Sequence, residues 1–347
     1  MDVVVVGAGQ AGLSAGYFLR RSGLDFVMLD HAPRAGGAWQ FRWPTLTLGT
    51  AHNIHDLPGM PLEDRDPERP ASEVVSEYFA RYEREFGLDV RRPVDVTAVR
   101  DAGGRLVVES SEGVHAARAL INATGTWDRP FWPFMRGMGS FRGRHMHTVD
   151  YRGPDEFAGL RVLVVGGGAS GTQALMEIAP LAAETTWVTR REPVWVDGPF
   201  DGHAAVARVE ERVRQGLPPG SVVSATGLLL TEEVRAARAR GVLDRRPMFE
   251  RVVPEGVEWA DGSRLGVDVI VWATGFRAAL DHLAPLRLRG AGGGIRMDGT
   301  RVADDPRIHL LGYGPSASTI GANRAGRAAV REIKSLLRAT VPEAVGA

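Results

Sequence analysis

A chain of 347 residues with 42 basic and 42 acidic side chains, 43 glycines and no cysteine is long enough for about two domains of roughly 150 residues each. Its balanced charge argues against broad electrostatic binding to nucleic acid or to an anionic membrane. The missing thiols exclude a disulfide scaffold, thiolate-bound zinc or iron–sulfur clusters, a cysteine nucleophile, and a flavoenzyme that passes electrons through a dithiol of its own. No apolar run approaches the ~18 residues of a membrane span. No basic-then-apolar leader precedes Val3, so a soluble cytoplasmic protein is expected.

The chain opens on Val3-Val4-Val5-Val6, a β-branched run without polar alternation. Such a run suits a strand buried on both faces of a parallel sheet. Gly7-Ala8-Gly9-Gln10-Ala11-Gly12 follows, then a helical pattern over Leu13–Arg21, then a second strand at Phe26–Asp30. This is a βαβ opening. Residues 31–70 show no period and are expected to be long loops. Ser72 is expected to cap a helix running to about Phe86, with Gly87 as its stop. Short β patterns cover Arg105–Glu109 and Ala117–Ala123, and 127–160 reads as loop. The opening then recurs as strand Arg161–Val165, turn Gly166-Gly167-Gly168-Ala169-Ser170-Gly171, a helix to about Leu181 and strand Thr185–Thr189. Residues 200–240 read as helical with charged faces. Strands are expected at Val267–Ala273 and Ile308–Gly312, and a helix within Ser316–Arg338.

One G-x-G-x-x-G is weak, because this glycine content gives about 0.65 chance matches in the chain. Two occur, and each follows an apolar strand and opens a helix. In that setting the first glycine permits the tight turn, the second lets a pyrophosphate approach the backbone, and the third lets helix and strand pack closely. The helix N-terminus supplies unpaired N–H groups to the phosphates. The second strand's tip separates the two sites. Asp30 can accept from ribose hydroxyls, which suits FAD or NAD. Arg190 and Arg191 suit the 2′-phosphate of NADP. The plain alternatives are a turn residue and a solvated arginine pair.

The chain resembles the flavin-containing monooxygenases, and most closely their compact bacterial members, over nearly its whole length. The linking motif F-x-G-x-x-x-H-x-x-x-[Y/F/W] stands as Phe141, Gly143, His147 and Tyr151, with a chance expectation of roughly 0.003. Gly36-Gly37-Ala38-Trp39, Leu57-Pro58-Gly59-Met60-Pro61, and the crossings Ala123-Thr124-Gly125 and Ala273-Thr274-Gly275-Phe276 match further family segments. The resemblance implies an α/β fold of two doubly wound Rossmann-like domains, the second inserted in the first. Residues 1–150 and 275–347 would bind FAD, and 151–274 would bind NADP. It implies Gly7, Gly9, Gln10, Gly12, Asp30, Gly37, Trp39, Gln40, Thr124 and Gly125 at FAD. It implies Gly166, Gly168, Ser170, Gly171, Arg190, Arg191, Thr274 and Gly275 at NADP, with NADPH the preferred reductant and NADH a second one.

No catalytic residue is fixed by this reading. His147 is a candidate base, against a hinge or cofactor-positioning role. His52, Asn53 and His55 lie in the loop expected to face the flavin. Trp39, Trp43, Leu57 and Tyr313 are candidate pocket lining. The chain departs from the family at Gly49, where a flavin-side Asn is common, and at Gly312-Tyr313-Gly314-Pro315, where Gly-Asp is common. A helix opening near Ser318-Thr319 can still aim N–H groups at the flavin edge. The implied activity is NADPH- and FAD-dependent monooxygenation through a flavin C4a-hydroperoxide. The implied partners are O2 and a small substrate, a sulfide or amine, or a ketone in the Baeyer–Villiger sense. A homodimer is the default assembly. No metal site is expected. The competing readings are a flavin-dependent oxidase or reductase, and a nucleotide-sensing protein without turnover.

Overall fold

The computed structural model describes residues 1–51, 54–198, 202–220 and 227–339. Val3–Val6 forms a strand in which no side chain is more than 5% exposed. It lies parallel between Phe26–Leu29 and Ala119–Asn122. Across this first sheet the order is Met297–Asp298, Arg301–Val302, Asp305–Leu310, Ala119–Asn122, Val3–Val6, Phe26–Leu29, Val90–Arg91. The pairings from Asp305–Leu310 to Val90–Arg91 are parallel, and the two at the Met297 end are antiparallel.

Strand alternation sorts the core into layers. Val3 and Val5 pack toward helices Gln10–Arg20, Ala71–Glu85 and Thr319–Ala339. Val4 and Val6 pack toward an antiparallel meander, Val96–Asp101, Leu106–Ser110 and Gly113–Ala117. Burying each such side chain contributes roughly 1.5–3 kcal/mol.

The second sheet repeats the plan. Its order is Arg245–Pro247, Glu184–Thr189, Arg161–Val165, Val269–Trp272, Arg144–His147, all parallel. Val162 and Val164 face helix Ala169–Ile178, while Leu163 and Val165 face Phe249, Val252, Val257 and Trp259 of a second meander. Its strands come from between those of the first sheet, so the α/β architecture of two Rossmann-type domains, one inserted in the other, is as expected. Each sheet carries helices on one face and a small antiparallel sheet on the other.

Several elements differ from expectation. The helix expected from Ser72 spans Ala71–Glu85 with Pro70 at its N-cap, so Ser72 sits in the first turn. Gly87, at φ +56°, does follow it. The segment 127–160, expected as loop, contains the strand Arg144–His147. That strand lies within 1–150 but pairs with Val269–Trp272 in the second sheet. The 200–240 region holds Gly202–Arg214 and Glu232–Ala239, with the short strand Leu228–Leu229 between them. Among the described residues no helix is long and apolar enough to cross a membrane.

Candidate functional site

Both Gly-rich turns sit at the C-terminal ends of their central strands, each against the alanine of a crossing segment. A Cβ on Gly7, at φ +95°, would lie 2.5 Å from the Ala123 carbonyl oxygen. On Gly166, at φ +139°, it would lie 2.2 Å from that of Ala273. A side chain is excluded at either position by backbone conformation and by space. Gly9 and Gly168 are the N-caps of the helices that follow. The nearest atom to a Cβ on Gly9 would be 3.8 Å away, and none lies within 4 Å of one on Gly168. These second glycines leave the backbone open to a ligand, as a pyrophosphate needs. Gly12 packs against the Gly7 carbonyl, and Gly171 against Ala273 and the Gly166 carbonyl. Ser170 lies in the first turn of helix Ala169–Ile178.

A cleft runs along the first turn. Gly7, Gly9, Gln10, Asp30, Gly37, Trp39, Thr124 and Gly125 line it, so most of the residues expected at a flavin dinucleotide converge there. Gly312 and Ser316–Ser318 close it, and Ser318 Oγ accepts from the Gly321 N–H at 3.0 Å. The cleft thus meets the N-termini of two helices, Gln10–Arg20 and Thr319–Ala339. Both ends carry positive dipole character. Asp30 is buried, and its Oδ2 accepts from Arg92 Nε at 2.7 Å. Arg92 also bridges to both Glu83 oxygens. Asp30 Oδ1 lies 3.8 Å from His31 Nδ1, and His31 Nε2 lies 3.2 Å from Asp128. Hydrogen bonding to Asp128 raises the His31 pKa. Gln10 Oε1 and Arg42 Nε are buried on this cleft without a hydrogen-bond partner. Open backbone at a helix N-terminus, a carboxylate at the tip of the neighbouring strand and unmet donors and acceptors fit a bound dinucleotide.

Other expected residues are placed elsewhere. Gln40 turns back onto its own loop, donating to the Arg34 and Gly37 carbonyls at 3.0 and 3.1 Å, and does not line the cleft. Trp43 is buried in the second domain's core cluster and donates to Glu177 at 3.3 Å. Leu57 joins the core of the first domain. Tyr313 turns its hydroxyl to the Ile295 N–H at 3.2 Å. Of the expected aromatic lining, only Trp39 therefore faces the cleft. His52 and Asn53 lie outside the described residues. The His55 carbonyl accepts from Gln10 Nε2 at 3.4 Å. Arg42, His31 and Asp128 line the cleft without any motif to mark them.

The linking motif supplies the edge strand Arg144–His147 and its continuation. A Cβ on Gly143 would lie 2.4 Å from the Phe141 ring, so Gly143 lets that ring fold back over the strand. His147 is fully buried. Its Nδ1 accepts from the Val149 N–H at 3.1 Å, and its Nε2 donates to the Gly275 carbonyl at 3.1 Å. Both nitrogens are occupied and burial lowers the pKa, which keeps the ring neutral at pH 7. Tyr151 donates to Glu177 at 2.8 Å; Glu177 also accepts from Trp43 and Thr45. The crossing threonines bond reciprocally. Thr124 donates to the Ala279 carbonyl at 2.7 Å, and Thr274 donates to that of Phe131. Gly275 contributes its carbonyl to Phe131 N–H and His147, so Thr274 and Gly275 stitch one crossing to the other.

Arg190 and Arg191 are exposed just beyond Glu184–Thr189. A Cβ on Gly167 would lie 3.4 Å from Thr189 Cγ2, so the second turn adjoins that strand tip. Arg245 joins them from the neighbouring strand, bonding Thr189 Oγ1 at 2.8 Å and Glu192 at 2.6 Å. The tip is therefore cationic where the corresponding tip of the first domain is acidic.

Residues 4–229 match the family model described as pyridine nucleotide-disulphide oxidoreductase. The solved flavin-containing monooxygenase from Stenotrophomonas maltophilia is 41% identical, with a TM-score of 0.84, covering 97% of this chain and 98% of that one. An uncharacterized CzcO-like oxidoreductase of Geobacillus kaustophilus is 26% identical over 306 residues, 84% of this chain and 87% of that protein. The indole-3-pyruvate monooxygenase YUCCA4 of Oryza sativa subsp. japonica is 28% identical, across 80% of this chain and 75% of that protein. The disulphide in the family description has no counterpart here, since the sequence holds no cysteine. The chain belongs to the pyridine nucleotide-disulphide oxidoreductase family, in its flavin-containing monooxygenase branch, and is a monooxygenase that works with a flavin and a nicotinamide cofactor.

Proposed function

We propose that FAD occupies the first cleft, that NADPH binds at the second Gly-rich turn, and that the substrate is a small nucleophilic sulfide or amine, or a ketone. The carrying observation is the contrast between two otherwise equivalent turns. One ends in a buried carboxylate, Asp30, and the other in the exposed arginines Arg190 and Arg191. A carboxylate repels a 2′-phosphate and accepts from ribose, whereas guanidinium groups favour the phosphate. In this reading Gly7, Gly9, Gln10, Gly12, Asp30, Gly37, Trp39, Thr124 and Gly125 hold FAD. Gly166, Gly168, Ser170, Gly171, Arg190 and Arg191 hold NADPH. Gln40 acts indirectly by fixing the Gly36–Gly37 turn, and Thr274 and Gly275 act by joining the two crossings.

When bound, the flavin accepts hydride and activates O2, the chemistry that the cofactor carries by itself. The chain's contribution is to bind, orient and exclude water. Helix N-termini Gln10–Arg20 and Thr319–Ala339 place N–H groups along the cleft. Trp39, Phe41, Phe79 and Phe276 give it apolar wall. Such a wall limits water at a reactive centre. His147 holds its proton on Nε2 against Gly275 and gives none to the reaction. With no cysteine in the chain, electrons reaching the flavin leave directly to O2 or to an outside acceptor.

The test is anaerobic reduction of the purified holoenzyme by NADPH and by NADH, then exposure to O2 with a panel of sulfides, amines and ketones. Faster bleaching by NADPH and oxygenated product in proportion to NADPH consumed are expected. NADPH oxidation that yields only peroxide with every substrate tried would sink the reading.

A further inference from the structure

The cleft assigned to FAD has a charge imbalance. Asp30, His31, Arg42 and Asp128 are its titratable lining residues among those described. Arg42 is thus the permanent cation of that lining, and neither carboxylate neutralises it, because Asp30 is paired with Arg92 and Asp128 with His31. It also forms no ion pair with a described carboxylate, and its Nε is buried without a partner. Burial pushes its pKa down to about 10, which leaves it protonated at pH 7. A half-buried cation whose Nε is shut from water without a counter-charge is unfavourable. Arg42 is nonetheless held in place. Its guanidinium lies 4.5 Å from the centroid of the Trp127 ring and 5.9 Å from that of Trp39. Trp127 is itself stacked on Phe276 at 5.1 Å. Cation–π contact with two indoles orders the planar fork without neutralising it.

We propose that Arg42 is the counter-cation for the pyrophosphate of the flavin dinucleotide, acting from the turn opposite Gly9. This rests on the reading of the cleft as the FAD site. Arg42 directly follows the 3-10 turn Gly37–Phe41, and that turn packs on the Gly-rich loop, since a Cβ on Gly37 would lie 2.8 Å from Gly9 Cα. The two walls of the cleft therefore complement each other. Backbone N–H groups at Gly9–Ala11 offer partial positive charge, and Arg42 offers a full one. A dianion seated between them meets a cation that has no ion-pair partner among the described residues. Two sources of oxyanion suit such a site, the cofactor's pyrophosphate and a substrate carboxylate. The pyrophosphate is favoured because the Gly-rich turn and Arg42 share one cleft.

Apoprotein stripped of flavin, as wild type, Arg42→Leu and Arg42→Lys, is titrated with FAD by fluorescence quenching and melted with and without FAD. Arg42→Leu should weaken FAD about 10- to 100-fold, the size of a lost charge-assisted contact. Arg42→Lys should recover part of that loss. The Arg42→Leu apoprotein should melt no lower than wild type while its FAD-induced rise shrinks. FAD affinities within twofold of wild type overturn the proposal, as does an equal loss in the Leu and Lys variants, which would signal packing. Unchanged FAD affinity with KM raised only for carboxylate-bearing substrates overturns it in favour of the substrate. Failure of wild-type apoprotein to bind FAD would instead strike the functional reading itself.

Discussion

Two residues of opposite charge at matching positions distinguish the turns, and that contrast is testable on the arginine side. Arg190 and Arg191 are exposed and have no described carboxylate partner, so neither is committed to the fold. Arg245, by contrast, is tied to Thr189 and Glu192 and braces the strand tip. Replacing Arg190 and Arg191 together by Ala should raise KM for NADPH about 30-fold or more, and that for NADH by less than about threefold. Each charge-assisted hydrogen bond is worth roughly 1.5–3 kcal/mol. Melting temperature should hardly move, because exposed charges contribute little to stability. Steady-state kinetics with both reductants decides it, and equal rises would remove the assignment to the 2′-phosphate. The pair is legible in sequence because it follows Glu184–Thr189 at the offset Asp30 has from Phe26–Leu29. Arg42 is not legible. Its significance comes from lacking a partner, and a sequence does not show which ion pairs fail to form.

At the scale of elements, the linking motif is a strand with its continuation, and its parts have separate structural causes. Gly143 makes room for Phe141, His147 ties the strand end to the second crossing, and Tyr151 reaches the helix of the inserted domain through Glu177. His147→Phe should destabilise the protein by about 1–3 kcal/mol, since the Val149 N–H loses its partner in a buried site while the Gly275 carbonyl keeps only the Phe131 N–H. The pH profile of kcat/KM should keep both limbs in any active fraction. A lost limb at unchanged stability would restore the catalytic role for His147. Urea titration beside the rate profile separates these outcomes. Elements built on apolar runs, Val3–Val6, Arg161–Val165 and Val269–Trp272, were readable because parallel strands buried on both faces leave no polar alternation. Arg144–His147 was hidden for the opposite reason. As an edge strand reading Arg-His-Met-His, it has no such run, and its pairing with Val269–Trp272 is set by residues more than a hundred positions away. The surroundings of loop aromatics are illegible for a related reason. Trp43 and Tyr313 satisfy distant polar partners, Glu177 and Ile295, which spacing alone does not disclose.

For the whole molecule, buried neutral histidines couple stability to acid. His282 donates to Asn122 Oδ1 at 2.7 Å, and Asn122 passes the network to Thr124 at the first crossing. His309 meets Thr300 at 2.9 Å within the first sheet. Burial brings both down to about 4, against the usual 6.5. The unfolded chain therefore binds more protons than the folded one between those values. The stabilisation is fully present above about pH 6.5 and is lost as pH falls toward 4. Each histidine contributes about 3 kcal/mol across that window, at 1.36 kcal/mol per pKa unit. Two such contributions are comparable to a typical total stability of about 5–15 kcal/mol. His31 acts in the other direction, since Asp128 raises its pKa, but it is partly exposed and its effect is smaller. Urea midpoints should hold between pH 8 and 7, then fall steeply from pH 6 to 4.5. The double variant His282→Gln and His309→Gln should be weaker at pH 7.5 and lose much of that slope. A wild-type midpoint that stays level down to pH 5 would show that the crossing and the sheet do not hold these rings neutral. Because Asn122 and Thr124 link His282 to the wall of the cleft proposed for FAD, acid should release the flavin over the same range in which it unfolds the chain.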